Sequence, residues 1–111
     1  RAQNGVAPLI FIGALAAVAR AHSQDMATRN FLNHVNPDGL DPYQRVRIGG
    51  ISFRSAGENI AGGATADIIV TNWMNSPGHR ANILNPAFGK IGIGVAKSST
   101  YGLLATQDFT N

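Results

Sequence analysis

The segment that most limits the fold is Ile91-Gly92-Ile93-Gly94-Val95-Ala96. β-Branched residues alternate there with glycine and alanine, which is the period of two of an extended strand. One face is branched and needs a core. The other is nearly bare, so a second backbone or a helix can approach it closely. Ser98-Ser99-Thr100 marks a turn, and Tyr101 to Phe109 reads as the return strand, with Tyr101, Leu103, Ala105, Gln107 and Phe109 on one face. The pair predicts a hairpin at the centre of the fold. A two-stranded hairpin is marginal in water, so the rest of the chain must cover it.

The upstream residues supply that cover. From about Gly13 to about Asn30 the spacing predicts a long helix, with Leu15, Val18, Ala19, His22 and Met26 on one face. His22 is read as a core residue whose imidazole needs a hydrogen-bond partner. Leu9 to Ala19 is a continuous apolar run. It resembles the centre of a secretory signal, but it lacks a basic lead and continues into the periodic helix, so it is read as core with no signal segment. It is too short for a bilayer, which needs about 20 residues.

Asn36-Pro37-Asp38-Gly39 is a turn. Asp41 then caps a short helix, with Pro42 at its first position and Gln44 closing a capping box. Tyr43, Val46 and Ile48 are expected on its buried side, and Gly49-Gly50 to stop it. Ile51 to Ile60 reads as extended, with Gly62-Gly63 breaking the chain. Thr65 N-caps a further helix whose apolar face is Ile69, Val70, Trp73 and Met74. Ser76 and Pro77 start another, which Asn85-Pro86 ends. This order of helices and strands gives one α+β domain over residues 1–111, with an antiparallel sheet covered by helices.

The chain has no cysteine, so disulfides and thiolate ligands are excluded. Its net charge of +3 comes from scattered residues without a Lys or Arg run, so no nucleic-acid footprint is present. Nothing points to a transmembrane segment, and a monomer is expected.

Three ionisable side chains stand beside Gly or Pro punctuation: His34, Glu58 and His79. His79 falls in the first turn of its helix, where backbone N–H groups lack partners and the dipole is positive. We expect the three to meet in one cleft. Two neutral imidazoles and a carboxylate can bind zinc, or they can simply hydrogen-bond one another. No His-Glu-x-x-His helix specifies a metal. Ser23, Ser55 and Ser76 could serve as nucleophiles, but no Gly-x-Ser-x-Gly elbow supports a triad. Asn59 and Asn82 are expected to tie loops beside the cleft. Arg80 is expected there too, where it could attract an anion.

Five pieces together resemble the CAP superfamily, also called SCP-like or sperm-coating-protein-like domains, in its short bacterial extracellular form. They are Ala21 to Ala27, Asn30-Phe31 to Gly39, Gly57-Glu58-Asn59-Ile60, Trp73 to Leu84 and Ile91 to Val95. The resemblance implies an α-β-α sandwich around a three-stranded antiparallel sheet. It also implies a cavity with two His and, in many members, two Glu. His34, Glu58 and His79 match three of those positions. The second acid is absent: Met74-Asn75-Ser76 stands in its region, with Ser76 the nearest counterpart. The implied setting is extracellular or cell-envelope. Two functions are compatible with it. The first is a secreted binding module whose cleft holds a weakly bound divalent metal such as zinc and a lipid, peptide or cell-wall ligand. The second is a metal-dependent hydrolase with His34 and His79 as ligands and Glu58 as general base.

Overall fold

The computed structural model describes every residue from Arg1 to Asn111 except the side chain of Ala2. The elements run β1 (Ile10–Phe11), α1 (Gly13–Arg29), α2 (Pro42–Ile48), β2 (Ala56–Gly63), α3 (Ala66–Asn75), α4 (Pro77–Leu84), β3 (Lys90–Ser98) and β4 (Gly102–Thr110). The sheet order is β1-β3-β4-β2. The three long strands pair antiparallel, and the expected hairpin is β3–β4, with Gly94 opposite Thr106. The sheet therefore has one strand more than expected. β1 adds two residues in parallel to Lys90 and Ile91 of β3. It comes from the apolar run assigned to the core, yet Ile10 and Phe11 are exposed at this sheet edge. A two-residue pairing is too short to show a period.

The bare face of β3 meets α1. A Cβ placed on Gly92 would land on the backbone of Leu15 and Ala16, and one on Gly94 would land on Ala19 and Arg20. α1 thus lies on the strand backbone with no side-chain layer between. It buries Leu15, Ala19, His22, Ser23 and Met26. Ser23 Oγ donates to the Gly94 carbonyl at 2.8 Å and shares a 2.8 Å hydrogen bond with Thr106 Oγ1. On the opposite face, Ile69 and Trp73 of α3 pack on Ala105, and Phe88 stacks on Phe109 beside Ile91. Trp73 Nε1 donates to the Ile60 carbonyl, so the large aromatic is buried without an orphaned donor.

Several local expectations change. Gly62-Gly63 does not break the chain; both pair with β4 to the end of β2. Their bareness admits neighbours, since a Cβ on Gly63 would meet Ile69 at 2.8 Å and one on Gly62 would meet the Tyr101 ring at 2.8 Å. Ile51 to Ser55 lies outside the strand. On α2 only Val46 is buried, whereas Tyr43 and Ile48 are exposed. Tyr43 lies beside Phe53, which also carries the Arg47 guanidinium over its ring at 4.8 Å. Val70 of α3 is likewise exposed. The capping box at Asp41 and Gln44 and the Thr65 cap form as the sequence indicates.

Candidate functional site

Glu58 lies on the α1-facing side of β2, directly opposite Asp108 of β4. Its side chain is 1% exposed. Two groups approach it from outside the sheet. Arg45, one turn into α2, grips it in a two-pronged pair, Nη1 to Oε2 and Nη2 to Oε1, both at 2.9 Å. His34, in the loop after α1, reaches Oε1 with Nδ1 at 2.9 Å. A carboxylate only accepts, so Nδ1 carries a proton, and the tautomer this fixes has its lone pair at Nε2. Arg45 Nη2 also donates to the His34 carbonyl at 2.7 Å, fixing the loop that holds the imidazole.

Burial alone would raise the Glu58 pKa. The hydrogen bonds from His34, Asp108 and Arg45, with the Arg45 charge, outweigh it and hold the pKa below the ordinary carboxylate range. Asp108 behaves in the opposite way. Burial first, then its hydrogen bond to Glu58 and the Glu58 charge, push its pKa far up. Neither of its oxygens has a donor facing it. As a neutral acid it donates to Glu58, so two adjacent buried carboxyls carry one negative charge, which Arg45 balances. His22, also buried, sits close enough to feel both Arg45 and Glu58. Burial, then the Arg45 charge, lower its pKa. Its Nε2 donates to the Asn33 carbonyl at 2.8 Å, which gives the buried ring the partner it was expected to need, while burial and Arg45 favour its neutral form.

His79 is held separately. Its Nδ1 shares a 2.8 Å hydrogen bond with Ser76 Oγ. That hydroxyl therefore does not cap α4 through its side chain, although Ser76 does occupy the N-cap position. No hydrogen bond among the described residues joins the His79 ring to His34 or Glu58. The link is indirect: Asn59 Nδ2 donates to the His79 carbonyl and to Gln107 Oε1, both at 3.1 Å. Asn82 Nδ2 donates to Asn59 Oδ1 at 3.0 Å and to the Glu58 carbonyl at 3.2 Å. Asn59 and Asn82 tie α4 to β2 and β4. Arg80 instead reaches out to Asn4 Oδ1 on the surface.

Two openings flank this cluster. One, of about 340 Å³, is lined by His34, Tyr43, Gly57, Glu58 and Asn82. The other, of about 580 Å³, is a groove between α1 and α2. Ala14, Ala17, Val18, Ala21, Leu40 and Ile48 wall it, with His22, Asp25 and Arg45 among its few polar groups.

A zinc ion held jointly by His34, His79 and Glu58 does not fit these residues. Both Glu58 oxygens are engaged, and a guanidinium already lies against them. Among the described residues, no group of three or more His, Cys, Asp or Glu side chains is placed to hold an ion. Sequence reasoning passed over Arg45 and Asp108. Asp108 did carry a signal: it alternates with Gln107 and Phe109 in a strand read as central, where an acid must be paired or protonated.

The Cysteine-rich secretory protein (CAP) family matches residues 1–109, and the chain belongs to that family. It is 44% identical over 110 residues to the Bacillus subtilis protein YkwD, aligning 98% of this chain with 42% of that one. It is 36% identical over 96 residues to the membrane protein YlbC of the same organism, aligning 86% of this chain with 28% of that one. The chain thus spans well under half of either relative. Among solved structures, an extracellular SCP-domain protein from Bacillus anthracis superposes with a TM-score of 0.90 at 33% identity, over 100% of this chain and 36% of that one. An outer surface protein from Borrelia burgdorferi superposes with a TM-score of 0.91 at 24% identity, over 100% and 83%. The second likeness is one of fold.

Proposed function

We propose that this domain is an extracellular or cell-envelope binding module, and that its ligand is a small apolar, lipid-like molecule lying between α1 and α2. The groove of about 580 Å³ carries this reading. Its volume falls within the range typical of small-molecule sites, about 300–1,000 Å³. Its walls are apolar, with polar groups at few points, the pattern that gives both affinity and orientation. The extracellular setting is supported by the bacterial SCP-domain and outer-surface proteins that the fold resembles. Among the described residues, no helix is long and apolar enough to cross a membrane.

The hydrolase alternative needs Glu58 as a free base. A carboxylate with both oxygens engaged and a depressed pKa is a poor proton acceptor. The test is displacement of a fluorescent long-chain fatty acid by unlabelled lipids, peptides and cell-wall fragments. Ala17→Trp and Ala21→Trp should fill the groove and abolish lipid binding, and His34→Ala should leave it intact. Unchanged binding in both groove variants, or binding of peptide or glycan alone, would overturn the reading.

A further inference from the structure

We infer that Arg45 is the resident cation of the His34–Glu58 cleft, and that its guanidinium takes the place at Glu58 that a divalent metal would need. The inference is independent of which ligand fills the α1–α2 groove.

Glu58 offers two oxygens, and Arg45 takes both in a planar fork at 2.9 Å while its own side chain is 9% exposed. Such a pair is both strong and directionally specific. Arg45 is also anchored independently of Glu58, through the His34 carbonyl at 2.7 Å. Glu58 therefore cannot turn to a metal without leaving a buried guanidinium short of its partner, which is costly. Charge gives the same answer. The Arg45–Glu58 pair is neutral, so a divalent ion on the same carboxylate would set three positive charges against one negative in a site screened little by water. His34 is placed differently. Its Nδ1 is committed to Glu58 while its side chain is 46% exposed. Glu58 then acts on the imidazole as an orienting partner, fixing its tautomer.

The prediction is that the cleft gains a metal site when Arg45 is removed. Zinc titration by calorimetry at pH 7.5 should show that Glu58→Gln changes wild-type zinc affinity by less than about twofold, since Glu58 touches no ion. Arg45→Met should tighten zinc binding by about tenfold or more, the scale on which groups around a site tune a metal. The double variant Arg45→Met/Glu58→Gln should lose that gain. A tenfold loss on Glu58→Gln alone, or a folded Arg45→Met that binds zinc no better than wild type, overturns the inference. Should Arg45→Met fail to fold, imidazole nitrogen NMR of the wild type decides. With zinc added in excess, a persistent His34 Nδ1–H signal supports the resident-cation arrangement, and its disappearance overturns it.

Discussion

Toward α1 the sheet presents Glu58, Thr106 and Asp108; toward α3 and α4 it presents Asn59, Gln107 and Phe109. Both faces bury polar groups of β2 and β4, and they satisfy them by different chemistry. The α3–α4 face uses neutral amides that pass donors and acceptors in a short chain, Gln107 to Asn59 to Asn82, between two aromatic clusters. No charge is involved, so each member needs only a well-placed neighbour. The α1 face buries an ionised carboxylate, which needs a full counter-charge, so α2 has to deliver Arg45. The difference is one of leverage. Losing an amide strands dipoles, whereas losing Arg45 strands a charge.

The sharpest way to break this comparison is Arg45→Met. It leaves Glu58 buried without a cation and should cost about 3–5 kcal/mol at neutral pH. With the Arg45 charge and hydrogen bonds gone, less opposes the burial of Glu58, and its pKa rises from its lowered value. Wild type loses the stability tied to the lowered pKa as pH falls below 4.5, and the variant has less of it to lose. Denaturation curves at pH 7 and pH 4 should therefore show the penalty shrinking at pH 4, and a penalty equal at both values would mean that Glu58 is not the stranded group.

Gly94→Val tests the bare side of β3. Overpacking costs about 1–3 kcal/mol in a typical core and occasionally more. Here the added atoms meet helix backbone, which cannot rotate away, so about 3 kcal/mol is expected, read as the shift of the thermal midpoint. A midpoint within the error of wild type would mean that α1 does not rest on the strand.

On the other face, Asn59→Ala strands Gln107 Oε1, the His79 carbonyl and an Asn82 donor. It should cost about 1–3 kcal/mol. The loss should be the same at pH 4 and pH 7, and a loss that varied with pH would erase the distinction between the faces.

Asp108→Asn is expected to act through pH alone, with a gain near zero at pH 4 that grows by at most about 1.4 kcal/mol per pH unit above it. Asp108 has a raised pKa in the fold, so the unfolded chain releases its proton first. Its contribution to stability falls as pH rises above 3.8. Asn keeps a donor toward Glu58 and removes that dependence. Glu58 and His22 have lowered pKa values, and their contributions are lost as pH falls below 4.5 and 6.5 respectively. Those dependences should remain. The gain should thus be near zero at pH 4 and grow toward pH 8 in urea denaturation, and a gain independent of pH would show that Asp108 is ionised in the fold.

Much of this molecule was legible from short-range pattern. The period of two at Ile91–Ala96, the helical face through Leu15, Ala19, His22 and Met26, and the caps at Asp41 and Thr65 are set by neighbours a few residues away. They appear as read. So does the reason for Gly92 and Gly94, because a bare strand face has few uses other than close approach. The sequence also marked His34 and Glu58, and the structure sets them in contact. It did not show what holds Glu58. Arg45 and Asp108 reach it only because α2 packs against β2 and because β2 pairs with β4 in the register that sets Glu58 against Asp108. A shift of β2 by one residue in that register would turn Glu58 to the face away from Asp108. Which carboxyl is charged, which is protonated and which cation balances them are decided by distances across three elements, and those exist only in the folded chain.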